Sequence, residues 1–226
     1  PDDDLRRRLR TALARLRIAR PAGHPAEREA RMLAEAALRL AFPWIDDTAE
    51  ASLAAGMAST IGGVVLFHRY LPQLFARAGC LAPDRTIADP ARARALIEAL
   101  ADPGRAATAD RPADPILPVL LGLPPFERLP DASALTDADL ALLDGLTRAV
   151  IDAWGALGAT SPAGLREAFV QREAFVRPRP DGASDLHVTE GPFDILLDRL
   201  PFSIRLIRLA WMPAPLHVKW RDRDDG

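Results

Sequence analysis

Charged and amide side chains are concentrated in the stretch TSPAGLREAFVQRE, residues 160–173. Two Arg–Glu pairs on one helix could in principle serve general acid–base catalysis, because they place a proton donor close to a proton acceptor. Such pairs are far more often structural, since charged side chains on one helix face tend to support the helix or to be solvated. We therefore interpret Arg166, Glu167, Gln171 and Arg172 as a polar network that braces this helix, or as a contact surface for a partner protein.

The four histidines do not have the spacing of a metal site. None of the patterns HExxH, HxH or His-x3–5-His occurs. His68 lies in an apolar stretch, where we predict a core histidine whose hydrogen bonds are satisfied. His187 and His217 lie in candidate strands, where they could be cross-strand neighbours, and a metal pair there is the minor alternative.

The remaining candidates for chemistry also have simpler interpretations. Asp194 and Asp198 flank an apolar run and could form a carboxylate pair, but charges at the edge of a helix or strand that pair with Arg199 are the simpler explanation. Gly62-Gly63 lacks the GxxxxGK[ST] and GxGxxG patterns of phosphate-binding loops, so we expect the pair to permit close packing. We predict that the chain is not an enzyme and has no catalytic, cofactor-binding or metal-binding residue.

Composition excludes several further classes of protein. The 226 residues include 29 basic and 31 acidic side chains, and a formal charge of −2 argues against a general nucleic-acid binder. Cys80 is the single cysteine, so one chain can build neither a disulfide framework nor a cysteine-based zinc site. No uncharged apolar run reaches about 18 residues, which is the length needed to span a membrane. The chain begins with Pro1 and not Met, so we expect it to be a fragment of a longer chain.

The first 58 residues are predicted to be helical. Leucines at positions 5, 9, 13 and 16 form an apolar stripe among seven arginines in the first twenty residues. These arginines could contact an acidic partner, although a solvated face is the simpler interpretation. Pro25 can open a second helix that covers residues 27–40, and a third helix is expected at residues 47–58.

Residues 59–179 are predicted to form a helical domain. Three helix starts are marked by capping residues. Asp89 precedes Pro90, Thr136 can form a capping box with Asp139, and Ser161 precedes a proline at the first helical position. The expected helical or buried stretches are residues 64–78 with a kink near Pro72, 90–101, 115–123, 137–154 and 162–173.

Residues 180–226 are predicted to be rich in β-strands. Apolar and polar residues alternate at residues 186–188 and 216–220, which is typical of strands that bury one face. Residues 193–209 suit a strand or a helical turn. We expect the core of this end to contain Leu200, Phe202, Trp211 and Trp220. The sequence thus predicts an α+β protein that is predominantly α-helical, with a multi-helix domain and a small C-terminal β-rich subdomain.

Three separated blocks resemble the contractile injection system tape measure proteins, which are components of phage-tail-like particles. The first block, residues 62–79, is similar to a family segment in which glycine and an apolar run precede a histidine, an aromatic residue, Leu-Pro and Leu-Phe. The second block is the charged stretch 160–173. The third block covers residues 193–220 and contains FDILLDRLPFSI, IRLAWM and LHVKW. Arg69 and Ala210 stand where the family commonly has proline, and Phe202 stands where it commonly has tryptophan.

The resemblance implies a structural protein that sets the length of the inner tube and sheath of an injection particle. It would be cytoplasmic during assembly and would occupy the lumen of the inner tube, with one end at the baseplate or spike. The implied partners are the inner-tube protein and baseplate or spike components, with neither nucleic acid nor membrane, and a homo-oligomer in the lumen is compatible with this role.

The length of the chain bears on this interpretation. Even as one continuous helix, 226 residues would reach only about 340 Å. We therefore expect the extended ruler to lie before Pro1, with residues 1–58 as its end. The alternatives are a baseplate or spike adaptor that anchors assembly without measuring and, in another class, an enzyme delivered as cargo.

Overall fold

A five-stranded mixed sheet organises the part of the chain that the structure describes. The structure is a computed structural model, and it describes residues 56–104, 112–125 and 127–221. The helices predicted within residues 1–55 lie outside this part of the chain. The helix predicted at residues 47–58 overlaps it at its last residues, where the chain forms a strand and not a helix.

The strands are not arranged in chain order. Their bounds are Met57–Ser59 (β1), Ala174–Pro178 (β2), Ser184–Val188 (β3), Leu206–Ile207 (β4) and Leu216–Lys219 (β5). Neighbours across the sheet follow the order β1-β2-β3-β5-β4. All neighbouring pairs are antiparallel except β3 and β5, which are parallel. This arrangement puts the C-terminal strand β5 inside the sheet, between β3 and β4.

Each long strand buries one face and exposes the other, because successive side chains of a strand point to opposite sides. In register, Val176 of β2 lies opposite Leu186 of β3, which lies opposite Val218 of β5, and all three are buried. The alternation predicted for β3 and β5 is therefore confirmed.

The helical elements are short apart from two. Their bounds are Leu71–Arg77 (α1), Pro90–Ala101 (α2), Ile116–Leu120 (α3), Asp137–Ala153 (α4) and Pro162–Leu165 (α5). A π-helical turn, Arg166–Val170, directly continues α5, and 3-10 turns cover Gly62–Phe67, Gly155–Leu157 and Asp194–Arg199. The buried apolar side chains of these elements and of the inner sheet face form one hydrophobic cluster.

The predicted start signals of three helices are confirmed. The Asp89 carboxylate accepts a hydrogen bond from the Arg92 amide at 2.9 Å and caps α2. Thr136 and Asp139 form the expected reciprocal capping box at the start of α4. The Ser161 hydroxyl accepts a hydrogen bond from the Gly164 amide at 3.1 Å and caps α5. These caps satisfy backbone donors that have no partner within the helix itself.

The prediction of a predominantly helical fold is wrong. The described residues are 41% helical and 13% strand, and with its five-stranded sheet this part of the chain is a mixed α+β fold. Strands β1 and β2 lie in stretches predicted as helix or loop, because three to five residues give too little alternation to indicate a strand. Strands of this one sheet come from all three of the segments 1–58, 59–179 and 180–226, and the division into these domains stays a prediction.

A glycine pair lets two segments that are distant in sequence touch, as predicted. The Gly62 amide donates to the Arg172 carbonyl oxygen at 2.9 Å. A Cβ atom on Gly63 would overlap the Phe169 carbonyl, and one on Gly62 would overlap the Ala174 side chain. The 3-10 turn that begins at Gly62 can therefore pack directly on the π-helical turn and the start of β2.

This contact predicts a large difference between two glycine substitutions. We expect Gly63→Ala to lower the free energy of unfolding by about 2–3 kcal/mol, because backbone atoms cannot move aside easily. Gly145→Ala is the matched control, since this residue lies within α4 and a Cβ atom there meets open space. The control should raise the free energy of unfolding by about 0.5–1 kcal/mol, because alanine has a higher helix propensity than glycine. Equal effects of the two changes in denaturant unfolding would contradict the close packing.

Candidate functional site

The carboxylate of Asp194 accepts hydrogen bonds from three different segments of the chain. Its residue is 3% exposed. Oδ1 accepts from Nη2 of Arg172 at 2.9 Å, and Oδ2 accepts from the Gly191 amide at 2.8 Å and from Nε1 of Trp220 at 2.9 Å. Three donors on three segments thus compensate a buried charge that would otherwise be very costly.

Local sequence explains how Asp194 reaches these donors. Gly191 and Pro192 turn the chain into the 3-10 turn Asp194–Arg199, so that the carboxylate folds back onto the Gly191 amide. A Cβ atom on Gly191 would overlap the guanidinium of Arg172. Glycine at this position therefore makes room for the ion pair.

The Arg172–Asp194 pair links the second sequence block to the third. Their side chains are 14% and 3% exposed, so this ion pair is largely shielded from water. The Arg172 carbonyl also accepts the Gly62 amide, which adds the first block. Nε of Arg172 is buried without a hydrogen-bond partner among the described residues, so the desolvation of the guanidinium is only partly compensated.

Arg166 and Gln171 contact the C-terminal end of α2. Nε of Arg166 donates to the Leu100 carbonyl, and Nε2 of Gln171 donates to the Ala101 carbonyl, both at 3.0 Å. The last carbonyls of a helix lack partners within the helix, and a cation near them also complements the helix dipole. Burial lowers the pKa of the Arg166 guanidinium.

The four polar candidates are thus not brought together at one point. Arg166 and Gln171 act on α2, Arg172 acts on Asp194, and Glu167 is exposed on the π-helical turn. Arg166 and Gln171 bind residues that lie 66 and 70 positions away in the sequence, and not residues of their own helix.

The four apolar candidates of the C-terminal end make different contacts. Trp220 is buried beside Asp194, and Leu200 is half-buried against the hydrophobic cluster. Trp211 donates from Nε1 to the Leu120 carbonyl at 2.8 Å, and its ring centre lies 5.3 Å from that of Phe75.

Phe202 is half-buried in a different contact. Its ring meets His68 and Tyr70 edge-on, with ring centres 5.6 and 6.2 Å apart, and Cζ of Arg69 lies 5.3 Å from its centre. Aromatic and cation–π contacts of this kind join the segment after the 3-10 turn at residue 194 to the first sequence block.

His68 has a satisfied ring nitrogen, as predicted. Its Nδ1 lies 2.9 Å from the Val65 carbonyl and donates to it. Burial, with a smaller effect of the Arg69 charge, lowers the pKa of His68. His187 and His217 lie on the neighbouring strands β3 and β5, but they face Lys219 and Asp185 and not each other. Within the described residues, no group of three or more His, Cys, Asp or Glu side chains could hold a metal ion.

Two contacts were missed in the sequence. Asp194 and Asp198 do not pair with Arg199, because Asp194 takes Arg172 and Asp198 takes Arg221 at 3.2 Å. The flanking Phe193 and Ile195 suggest a turn with alternate inward and outward side chains, but the sequence carries no signal for a partner 22 residues away.

None of the described helices has the length and apolar character needed to cross a membrane.

Comparison with known proteins decides how these blocks are to be interpreted. The sequence model of the contractile injection system tape measure protein family matches residues 23–220. The chain belongs to this family. The match includes all three blocks and confirms the resemblance drawn from them. No curated protein and no solved structure matched the chain.

Membership in the tape measure family gives the functional context. Tape measure proteins lie inside the tail tube of the particle, and membership implies association with other components of the injection system. The family is one of structural proteins. The contacts of Arg166, Gln171 and Arg172 are consistent with that context, because each of them joins distant segments of the same fold.

The Asp194 contacts predict a stability difference between two carboxylates on one turn. We expect Asp194→Ala to cost about 3–5 kcal/mol, because it leaves a buried guanidinium and an indole N–H without their acceptor. The matched control, Asp198→Ala, removes a partly exposed ion pair and should cost about 0–1 kcal/mol. Urea unfolding of both variants measures the difference. A cost below about 1 kcal/mol for Asp194→Ala would contradict the role assigned to its carboxylate.

His68 predicts a loss of stability in mild acid. Because folding lowers its pKa from the ordinary value of 6.5, the unfolded chain binds the proton more readily. The contribution of neutral His68 is therefore fully present above pH 6.5 and is lost as the pH falls from 6.5 through the lower folded-state pKa. Unfolding measured between about pH 7.5 and 5 should show this loss in the wild type and in His217→Gln, and less of it in His68→Gln. An unchanged pH profile in His68→Gln would refute the assignment.

Proposed function

We propose that this chain sets the length of the inner tube and sheath in a contractile injection system. The observation that carries the proposal is the match of residues 23–220 to the tape measure family. In such a role the protein occupies the lumen of the growing tube, and assembly stops when the tube reaches the end of the extended chain. The chain would be in the cytoplasm during assembly, and its partners would be the inner-tube protein and baseplate or spike components.

The described fold supports different roles for the described residues and for the sequence that precedes them. A mixed sheet closed by long-range polar contacts has a fixed size, whereas a ruler must have a length that varies with the number of its residues. We therefore assign the described residues to anchoring one end of the ruler. Length would come from helical sequence that precedes Gly56, at about 1.5 Å per residue.

One observation supports a second candidate function. The described residues form an α+β fold and not an extended rod, which suits a baseplate or spike adaptor that anchors assembly without measuring. The two candidates differ in a single property, namely whether particle length depends on the length of the chain.

Electron microscopy of particles separates the two candidates. A helical insertion of about 40 residues before residue 56 should lengthen the tube by about 60 Å if the chain measures. The matched control is an insertion of the same length between α3 and α4, at residues 127–135, which lengthens the chain but not the ruler. Tubes of normal length with both insertions would contradict the measuring role and favour the adaptor.

A further inference from the structure

Strand β4, Leu206–Ile207, lies at one edge of the sheet formed by the described residues. It pairs with β5 on one side, and the sheet order places no described strand on its other side. An edge strand presents backbone N–H and C=O groups that no neighbouring strand uses, so it can pair with a strand of another chain. The side of β4 that faces away from β5, which we call the free edge, is therefore a candidate interaction surface.

The hydrogen bonds between β4 and β5 show which backbone groups point to the free edge. In an antiparallel pair, residues that exchange two backbone hydrogen bonds alternate with residues that exchange none. The Val218 amide donates to the Arg205 carbonyl at 2.8 Å, and the next residue, Leu206, lies opposite His217. Leu206 and His217 thus exchange no hydrogen bond, so the N–H and C=O of Leu206 point to the free edge.

A large apolar side chain and a cation lie beside this backbone on one face of β4. Leu206 is 57% exposed. Arg208 is also exposed, whereas the residues at positions 207 and 209 are buried. Because successive side chains of an extended chain point to opposite sides, this alternation places Arg208 on the same face as Leu206. Arg208 has no ion pair among the described residues.

Positive charge dominates the segment that contains β4 and β5. Residues 199–221 contain four arginines, one lysine and no acidic residue, in a chain whose formal charge is −2. Lys219 lies on the same face as Leu206, because it follows His217, the register partner of Leu206, by two residues. Its Nζ is 3.9 Å from the Asp185 carboxylate. A surface pair at this distance is weak, so Lys219 and Arg208 can both attract an acidic partner.

The same charges argue against a second copy of the chain as the partner. Pairing of two β4 strands would bring Arg208 of one copy close to the cations of the other, and like charges across paired strands are destabilising. Nucleic acid is also a poor match for the free edge. Phosphate oxygens accept hydrogen bonds, but the Leu206 carbonyl requires a donor and the Leu206 side chain requires an apolar neighbour. A peptide strand supplies a donor, an acceptor and an apolar side chain together.

We propose that the free edge of β4 binds an extended acidic segment of a partner protein, which adds a strand to the sheet. The backbone of the partner pairs with the N–H and C=O of Leu206, and one of its apolar side chains covers the Leu206 side chain. A carboxylate two residues away on the same face of the partner strand pairs with Arg208, and Lys219 attracts it from one strand further in. The proposal concerns the described fold alone, so it does not depend on whether the chain measures tube length.

Fluorescence anisotropy with labelled peptides and the full chain tests the proposal. The probe is the peptide Val-Thr-Glu-Thr-Val-Thr-Glu-Thr, which carries valine and glutamate on one face as an extended strand and threonine on the other. The control peptide has lysine in place of both glutamates. The glutamate peptide should bind at least about tenfold more tightly than the lysine peptide, because only the former complements Arg208 and Lys219.

Two N-methylated forms of the glutamate peptide separate strand pairing from charge attraction. One form is methylated at the valine and glutamate amides, and the other at the threonine amides. A strand directs the N–H groups of alternate residues to the same edge, so only one of the two forms loses the donors that face β4. That form should bind at least about tenfold more weakly than the other, because it loses backbone hydrogen bonds.

A charge reversal on the protein locates the binding surface. Arg208→Glu should weaken binding of the glutamate peptide at least about tenfold, since it replaces attraction by repulsion. The matched control is Arg128→Glu, an exposed arginine between α3 and α4, which changes the net charge equally. The control should change the affinity less than about twofold. Melting temperatures close to the wild type show that both variants are folded, and the comparison of the methylated peptides needs no protein variant.

Four results would overturn the proposal. Two are the absence of binding of the glutamate peptide up to about 1 mM and equal binding of the two methylated peptides, which would indicate charge attraction without strand pairing. Tighter binding of single-stranded oligothymidine, lost in Arg208→Glu, would favour nucleic acid. A dimer that forms with rising protein concentration in sedimentation and is lost in Leu206→Pro would favour a second copy, because this change removes the N–H at the free edge.

Discussion

The carboxylate of Asp194 has almost no access to water, so it must obtain its hydrogen bonds from the protein. The donors come from the end of the π-helical turn, from the loop before the carboxylate and from the end of strand β5. In this fold β5 lies between β3 and β4 and Arg172 lies over Gly191, and this arrangement brings all three donors to the carboxylate. A single buried charge thus links the 3-10 turn, the end of the second block and the last tryptophan. The glycines at positions 62, 63 and 191 remove the Cβ atoms that would keep these segments apart.

The local part of this structure could be predicted from the sequence, and the long-range part could not. Helix caps at Asp89, Thr136 and Ser161 depend on neighbours three residues away, so the sequence pattern contains the whole interaction. The Arg172–Asp194 pair spans 22 residues and the contact of Arg166 with Leu100 spans 66, and nothing in the pattern selects those partners. Strand β1 was not predicted, because its three residues form a strand by pairing with β2, which is a tertiary effect and not a local preference.

The polar residues of the second block therefore have a different role from the one that their spacing first indicates. Arg–Glu pairs on one helix suggest a local network, but the structure directs Arg166 and Gln171 to the end of α2 and Arg172 to the third block. Each of these side chains donates a hydrogen bond to a backbone carbonyl or to a buried carboxylate that lies far away in the sequence. A structural protein acts in assembly through its shape and size, so it needs a reproducible fold more than it needs a reactive group. Buried polar contacts with defined geometry are one physical means of selecting a single arrangement.

The most direct test of the role of the buried ion pair is a double-mutant cycle between Arg172 and Asp194. The free energy of unfolding would be measured for the wild type, for Arg172→Met, for Asp194→Asn and for the double variant. If the ion pair holds the three blocks together, the two changes are strongly non-additive, with a coupling energy of about 2 kcal/mol or more. A coupling energy below about 0.5 kcal/mol would show that the two residues act independently, which contradicts a fold that depends on their contact.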